Sequence, residues 1–311
     1  MHGHKPVLLD EFLKYASYYD KKKSVKLWDG TLGAAGHLIS YLKRNKNVKA
    51  YASDCDHESI KKAEENLKKN NLQDRVLIKK ANFIENPFEN EAPFDIILLD
   101  LGISSMHLDE IDRGITFRQN QLLDMRLDTE IGVPVYKWLS HVSFKELRDI
   151  IYRYGEERLA AKIAKKIIER REISPVETTK DLKSICEEAY QNIRSKSHST
   201  RNPAVKTFQA FRIFINQEIE NLKKAMKILP ELLNIEGRLF IISFHSLEDR
   251  IVKHEYLSRE RIFTDDPLAK SVFIEGNYKI ITKKPITAKS EEVEINSRSR
   301  SAKMRILERI R

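Results

Sequence analysis

Cysteine is almost missing from this chain: Cys55 and Cys186 are the only two in 311 residues. Two cysteines cannot build a disulfide scaffold and fit a reducing compartment. They also exclude a multi-cysteine zinc or iron–sulfur site, and no histidine has a supporting ligand spacing, so no metal is expected. Long apolar runs are missing too; none approaches the ~20 residues of a membrane span. The opening "MHGHKPVLLDEF" has neither an apolar leader nor an arginine-rich presequence, so a cytoplasmic protein off the membrane is expected. There is no internal repeat, no low-complexity tract and no tight G-x-G-x-x-G turn of the dinucleotide-binding kind.

What is present is enough apolar material for a real core, 41% of the chain, in a length that suits one large domain or two ordinary ones. Lysine and arginine exceed aspartate and glutamate by 56 to 46, and the pI is about 9.3. That excess fits either an ordinary basic soluble protein or one with a polyanionic partner.

The first hundred residues alternate strands and helices. "SVKLWD" reads as a strand, and Gly30, Gly33 and Gly36 then punctuate "DGTLGAAGHLISYLKR", which runs into a helix. "KAYASD", "RVLIKKANF" and "FDIILLDL" are three more strands, the last apolar enough to be covered on both faces. Between them "HESIKKAEENLKKN" places Ile60, Ala63 and Leu67 on one helical face. This β-α-β order predicts a parallel sheet whose ligands bind outside the carboxyl ends of the strands. The polar residues gather there. The glycine loop allows close approach to backbone N–H groups at a helix start. Asp54 ends strand two about 20 residues on, where an acid accepts from ribose hydroxyls. Phe83 follows strand three and suits an adenine, and Asp100 ends strand four. These residues describe a nucleoside-cofactor site. The G-x-x-G-x-x-G spacing favours S-adenosylmethionine over NAD, because no pyrophosphate needs a tight loop.

After about Ser105 the character changes. "SFKELRDIIYRYG", capped by Ser143 with Glu146, "ERLAAKIAKKIIERR" and "TTKDLKSICEEAYQNI" are amphipathic helices with no strand among them. "NPAVKTFQAFRIFINQEIENLKKAMKILPELLN" continues as one long helix, with Phe208, Phe211, Ile215, Ile219, Leu222, Met226 and Leu229 as its core stripe. "GRLFIISF" then resumes the sheet as strand five. The expected organisation is a discontinuous sheet domain, 1–105 with 215–311, interrupted by an all-α domain, 106–214. In "ISFHSLEDRIVKH", Ser243, His245 and Ser246 follow strand five to the same edge as Asp100, and Ser246 can cap the next helix. His245 is either a wall of the active site or a structural hydrogen-bonder.

At these residues the chain resembles a known family. "HKPVLLDE", "DGTLGAAGH", "LLDLGISS", "RGITF", "LDMRLD", "YGEER", "TFQAFRI", "ISFHSLEDRIVKH" and "SRSRSAKMR" are similar, in order and nearly end to end, to signatures of the MraW family. These are bacterial methyltransferases that modify cytosine N4 in small-subunit ribosomal RNA. The resemblance implies a class I, Rossmann-like α/β fold, S-adenosylmethionine-dependent, with an inserted helical domain. It implies cofactor contacts at Gly33, Ala35, Gly36, His37, Asp54, Phe83, Asp100 and His107, and 16S rRNA within the small subunit, near the decoding centre, as substrate. Three regions depart from the family. Its Gly-Arg-Gly-Gly-His is here Gly33-Ala34-Ala35-Gly36-His37, its usual glutamine is His107, and its His-Pro-Ala-Thr-Arg is Asn202 to Lys206.

Many amino-methyltransferases carry an Asp/Asn-Pro-Pro-aromatic motif after strand four; this chain has "DLGISS" instead. Asp100 and Ser104 are therefore the candidates to accept hydrogen bonds from the target amine, so that positive charge growing on nitrogen is stabilised. For RNA, which must splay out its target base, the candidates are Arg113, Arg118, Arg126, Lys206, Arg212 and His245. Arg298 and Arg300 join them in a tail, 283–311, with nine basic and four acidic residues; the same tail ends in an alternating strand, "SAKMRILERI". Two competing readings remain at this level: an NAD-dependent oxidoreductase, and a non-catalytic RNA-binding protein with an inactive pocket. Oligomeric state, monomer or homodimer, is left open.

Overall fold

The computed structural model describes residues 5–103, 113–191, 202–263 and 273–311. The chain divides into two compact units, Met1–Ser104 with Glu220–Arg311, and Ser105–Ile219.

The first unit is built on one large sheet. In chain order its parallel strands are β1 (Val25–Asp29), β2 (Val48–Asp54), β3 (Val76–Lys80), β4 (Phe94–Asp100) and β5 (Leu233–Ser243). A two-stranded sheet, β6 (Arg261–Phe263) with β7 (Phe273–Glu275), lies apart from it. The chain then adds β8 (Tyr278–Ile280), β9 (Ile286–Thr287) and β10 (Lys303–Arg309). The order across the sheet is β3-β2-β1-β4-β5-β10-β8, with β9 also on β10. Parallel pairing runs from β3 to β5, whereas β10 lies antiparallel to β5, β8 and β9. The chain reverses strand order between β1 and β4, and that switch point faces the carboxyl ends.

Alternation along the strands fills both faces. Leu27, Ala50, Ile96, Leu98, Phe240, Ile242, Met304 and Ile306 face one way. There they pack with Phe12 of α1 (Leu9–Ala16), Leu38 and Tyr41 of α2 (Gly36–Arg44), and Ala63 and Leu67 of α3 (His57–Lys69). Trp28, Tyr51, Ile97, Leu99, Leu239, Ile241 and Leu307 face the other way, onto a second core. Burial on both sides is why strand four reads as an unbroken apolar run.

The second unit is helical: α4 (Val135–Leu139), α5 (Phe144–Gly155), α6 (Ala160–Ile173), α7 (Thr179–Tyr190), α8 (Val205–Ile215) and the start of α9 (Glu218–Ile228). The single long helix expected from the apolar stripe is in fact α8 and α9, broken at Asn216 and Gln217. Gln217 is left-handed, φ 51°. The side chain of Asn216 explains the break. Its amide donates to the carbonyls of Met125 (2.8 Å) and Arg212 (2.9 Å), and its oxygen accepts from Leu127 N (2.7 Å). A residue committed to a neighbouring loop stops propagating a helix. The remaining helices of the first unit are α10 (Ser246–Glu260) and α11 (Ser290–Ile295). Leu222 and Met226 of α9 pack with Val252 and Tyr256 of α10 in the second core. No helix among the described residues is long and apolar enough to cross a membrane.

Candidate active site at the carboxyl edge of the sheet

The loop between β1 and α2 is held from three sides. Leu32 N donates to Ser53 O (3.0 Å), Gly33 N to Asp54 Oδ2 (2.8 Å), and Gly30 N to Leu98 O (2.9 Å). A Cβ at Gly30 would stand 2.6 Å from Leu99 Cδ2 and 3.1 Å from Phe83 Cβ, so a side chain there would have to push the buried Leu99 aside. Ala35 is buried and left-handed, φ 63°, immediately before α2. A non-glycine residue there costs roughly 1–2 kcal/mol; the buried methyl, worth ~0.8 kcal/mol in the core, offsets part of it.

Asp54 closes the first side of the site. Its Oδ2 takes the Gly33 amide and its Oδ1 takes Asp56 N at 3.0 Å, so the ribose-type acid also fixes the glycine loop. Phe83 begins a short turn capped by Asn82, whose Oδ1 accepts from Ile84 N (3.2 Å). Asp100 ends β4. Its backbone N donates to Thr31 Oγ1 at 2.6 Å, which ties the tip of β4 to the glycine loop. Sequence reasoning passed over Thr31 and over Asp29, whose Oδ1 accepts from Thr31 N at 3.2 Å; the signal for Asp29 was its place directly before the loop.

His37 lies under this edge, buried. Its Nε2 faces the carbonyl of Val7 at 2.9 Å and therefore carries the ring proton, which leaves the Nδ1 lone pair 3.7 Å from Asp100 Oδ2. Burial pushes His37 down to about 4, against a smaller opposite effect of the Val7 carbonyl. Asp100 goes the other way: burial, then the charges of Asp29 and Glu248, hold its carboxyl well above the usual range. Its Oδ1 is buried with no hydrogen-bond partner among the described residues. Burial also raises Asp29 to about 7, with Asp54 adding to it and the Thr31 amide opposing.

At the tip of β5 the cap of α10 is His245, one residue before the expected Ser246. Its Nδ1 accepts from Glu248 N (3.4 Å), and Glu248 Oε2 returns to the amides of Phe244 (2.8 Å) and His245 (3.3 Å). His245 Nε2 stands 3.2 Å from Glu248 Oε1 without the alignment of a hydrogen bond. The histidine thus makes the cap's hydrogen bond at the site's edge. Ser243 is buried, its Oγ donating to Lys303 O at 3.3 Å. The edge therefore brings Gly33, Ala35, Gly36, His37, Asp54, Phe83, Asp100 and His245 together at the ends of adjacent strands. Ser104 and His107 lie outside the described residues.

The cationic candidates divide by what they already hold. In the helical unit Arg113 is buried and donates to the carbonyls of Leu127 and Arg126. Arg126 grips Asp124 with Nε (2.7 Å) and Nη2 (2.8 Å), and Arg212 grips Glu218 the same way at 2.8 and 2.9 Å. These three brace local structure. Arg118 and Lys206 are exposed, the latter donating to Glu156 O at 2.8 Å. In the sheet unit Arg298 is half-buried and Arg300 exposed, in the turn before β10.

A doubly wound sheet with one reversed strand beside β5, a loosely spaced glycine loop, and acids at the tips of β2 and β4 define a Rossmann-like α/β protein of the class I methyltransferase type. A family model described as the MraW methylase family matches residues 1–310, and the chain belongs to that family. Similar curated relatives are each named ribosomal RNA small subunit methyltransferase H. That of Caldicellulosiruptor saccharolyticus is 40% identical over 323 residues, covering 100% of both chains. That of Clostridium botulinum (strain 657) is 40% identical over 314 residues, 99% of each. That of Thermotoga neapolitana is 38% identical over 313 residues, 99% of this chain and 96% of its own. The oxidoreductase reading ends here. S-adenosylmethionine is the cofactor, and the residues fit it: an acid at Asp54 suited to ribose hydroxyls, an aromatic at Phe83, and an unpartnered buried carboxyl oxygen on Asp100 suited to a cationic ligand group.

Proposed function

We propose that this chain methylates the N4 amino group of a cytidine in 16S ribosomal RNA, near the decoding centre, within the small subunit in the cytoplasm. The observation that carries the reading is the unpartnered Asp100 Oδ1 at the switch point of a sheet whose family modifies small-subunit RNA in its relatives. Bound S-adenosylmethionine supplies a methyl group already activated by its sulfonium.

The protein's task is then orientation and charge. Gly33, Ala35, Gly36 and His37 line the cofactor's methionine side, and by the family resemblance His107 contacts the cofactor as well; Asp54 holds its ribose and Phe83 its adenine. The cytosine amine is a poor nucleophile because its lone pair is delocalised into the ring. Asp100 and Ser104 accept hydrogen bonds from it as positive charge grows, and the loop and strand tips hold nitrogen and methyl in line. The helical insertion, 106–214 in the sequence reading, recognises RNA, with Arg118 and Lys206 on its exposed surface and Arg113, Arg126 and Arg212 shaping it. Arg298, Arg300 and His245 extend the RNA contact on the sheet unit.

Incubation of small-subunit RNA with labelled cofactor, followed by nucleoside mass spectrometry, tests the reading. Label on cytidine N4, abolished by Asp100→Ala in a folded protein, is expected. Label on another atom or on another RNA overturns it.

A further inference from the structure

The end of the sheet opposite the active site carries a charged surface that the proposed chemistry does not use. Two loops meet there, 20–24 leading into β1 and 45–47 leading into β2. Val25 N donates to Asn47 O (2.9 Å), Asn47 Nδ2 to Lys22 O (3.3 Å), and Arg44 Nε to Asp20 Oδ2 (2.9 Å). Val25 and Val48 are register partners, so the two loops leave the sheet side by side. The two loops and the last turn of α2 present Lys21, Lys22, Lys23, Lys43, Arg44 and Lys46. Lys22 is paired with Asp95 (2.6 Å) and Arg44 with Asp20. Lys21, Lys23, Lys43 and Lys46 are exposed and hold no partner among the described residues.

An exposed aromatic stands three residues before Lys21 in the chain. Tyr18 is 50% exposed, with the Arg238 guanidinium 4.1 Å from its ring centroid. Tight turns from Ser17 to Asp20 and from Tyr19 to Lys22 bind it into the same loop. Unpaired like charges held together are unfavourable in isolation and call for a polyanion. An exposed aromatic beside them favours RNA over a lipid surface, because bases stack on such a ring.

We propose that this amino-end surface, Lys21, Lys23, Lys43 and Lys46 with Tyr18, is a second RNA-docking site that grips phosphates of the small-subunit RNA away from the target base. A five-residue strand separates it from the active edge by about 17 Å, so it engages a different stretch of the RNA. The proposal deepens the RNA reading above and rests on it.

The test compares wild type with the Lys21→Gln, Lys23→Gln, Lys43→Gln, Lys46→Gln variant on two probes, protein-free 16S rRNA and a short oligonucleotide carrying the target cytidine. Four phosphate contacts contribute about 3 to the slope of log affinity against log salt. The variant should lose roughly that slope and bind 16S rRNA at least about tenfold more weakly near 0.1 M salt, with oligonucleotide binding and cofactor affinity unchanged. Tyr18→Ala should weaken 16S binding several-fold at unchanged slope. An unchanged slope in the lysine variant overturns the proposal, as does an equal loss on the oligonucleotide. Loss of binding to phosphatidylglycerol vesicles with RNA binding intact would reassign the surface to a membrane. A wild-type protein that binds 16S rRNA but methylates neither it nor the assembled small subunit would remove the catalytic reading and leave this one standing.

Discussion

His37 and Asp100 face each other across 3.7 Å with the wrong charges for an ion pair. The imidazole is buried and neutral, its only proton spent on Val7, and the carboxyl beside it is pushed toward its protonated form. No described cation stands in for the missing partner; the charged neighbours that act on Asp100 are Asp29 from β1 and Glu248 from α10.

The pH dependence of cofactor binding follows. A cationic ligand group favours ionised Asp100, so binding below its raised pKa must expel a proton. Affinity should climb with pH, up to tenfold per unit, and level off above that pKa. Calorimetry in buffers of different ionisation enthalpy counts the proton; Asp100→Asn should remove the count, and its persistence would refute the assignment.

Stability of the unliganded protein should respond in the opposite sense. A carboxyl whose pKa is raised on folding holds more protons in the native state, so its contribution falls as pH rises from about 4 toward the native value. Asp29, raised to about 7, behaves likewise. Asp100→Asn should therefore raise Tm more at pH 7 than at pH 4. An identical shift at both pH values would mean that its carboxyl is not perturbed.

His37 carries the reverse sign. Its lowered value, about 4 against 6.5, makes the unfolded chain bind more protons between those pH values, so stability is lost on acidification through that window. The span corresponds to about 3 kcal/mol. Denaturant titrations of wild type and His37→Gln from pH 7 to pH 4 should show a flatter profile for the variant.

Asp249 offers a test of the sheet's reversed strand. Arg305 Nε (2.7 Å) and Lys303 Nζ (3.0 Å) of β10 both close on it. Burial alone would raise Asp249, but the two cations hold it below the usual carboxylate range. Asp249→Ala strands the buried Arg305 guanidinium and should cost about 3–5 kcal/mol, read as a lowered midpoint in urea. Loss of less than about 1 kcal/mol would show that water reaches the pair.

The site's frame was readable because β-strand patterning is local. Apolar runs ending in Asp54 and Asp100 announced both strands and the edge where they finish. What escaped depended on partners distant in sequence. Nothing in "GAAGH" says that Ala35 is left-handed or that His37 reaches back to Val7, thirty residues earlier. Arg126 and Arg212 read as free charge, although each has an acid within six residues that accepts from two of its nitrogens. Asn216 looked like any polar position on a helix, and its bonds to residues 125 and 127 lie about ninety positions away.

β10 lies inside the sheet, paired on one side with β5 and on the other with β8 and β9, yet it follows all three in the sequence. A nascent chain lacking Lys303–Arg309 leaves an open seam beside β5 and an unpaired Asp249. The row of parallel strands that carries the site thus stays open at β5 until a segment about sixty residues further along the sequence comes back to close it.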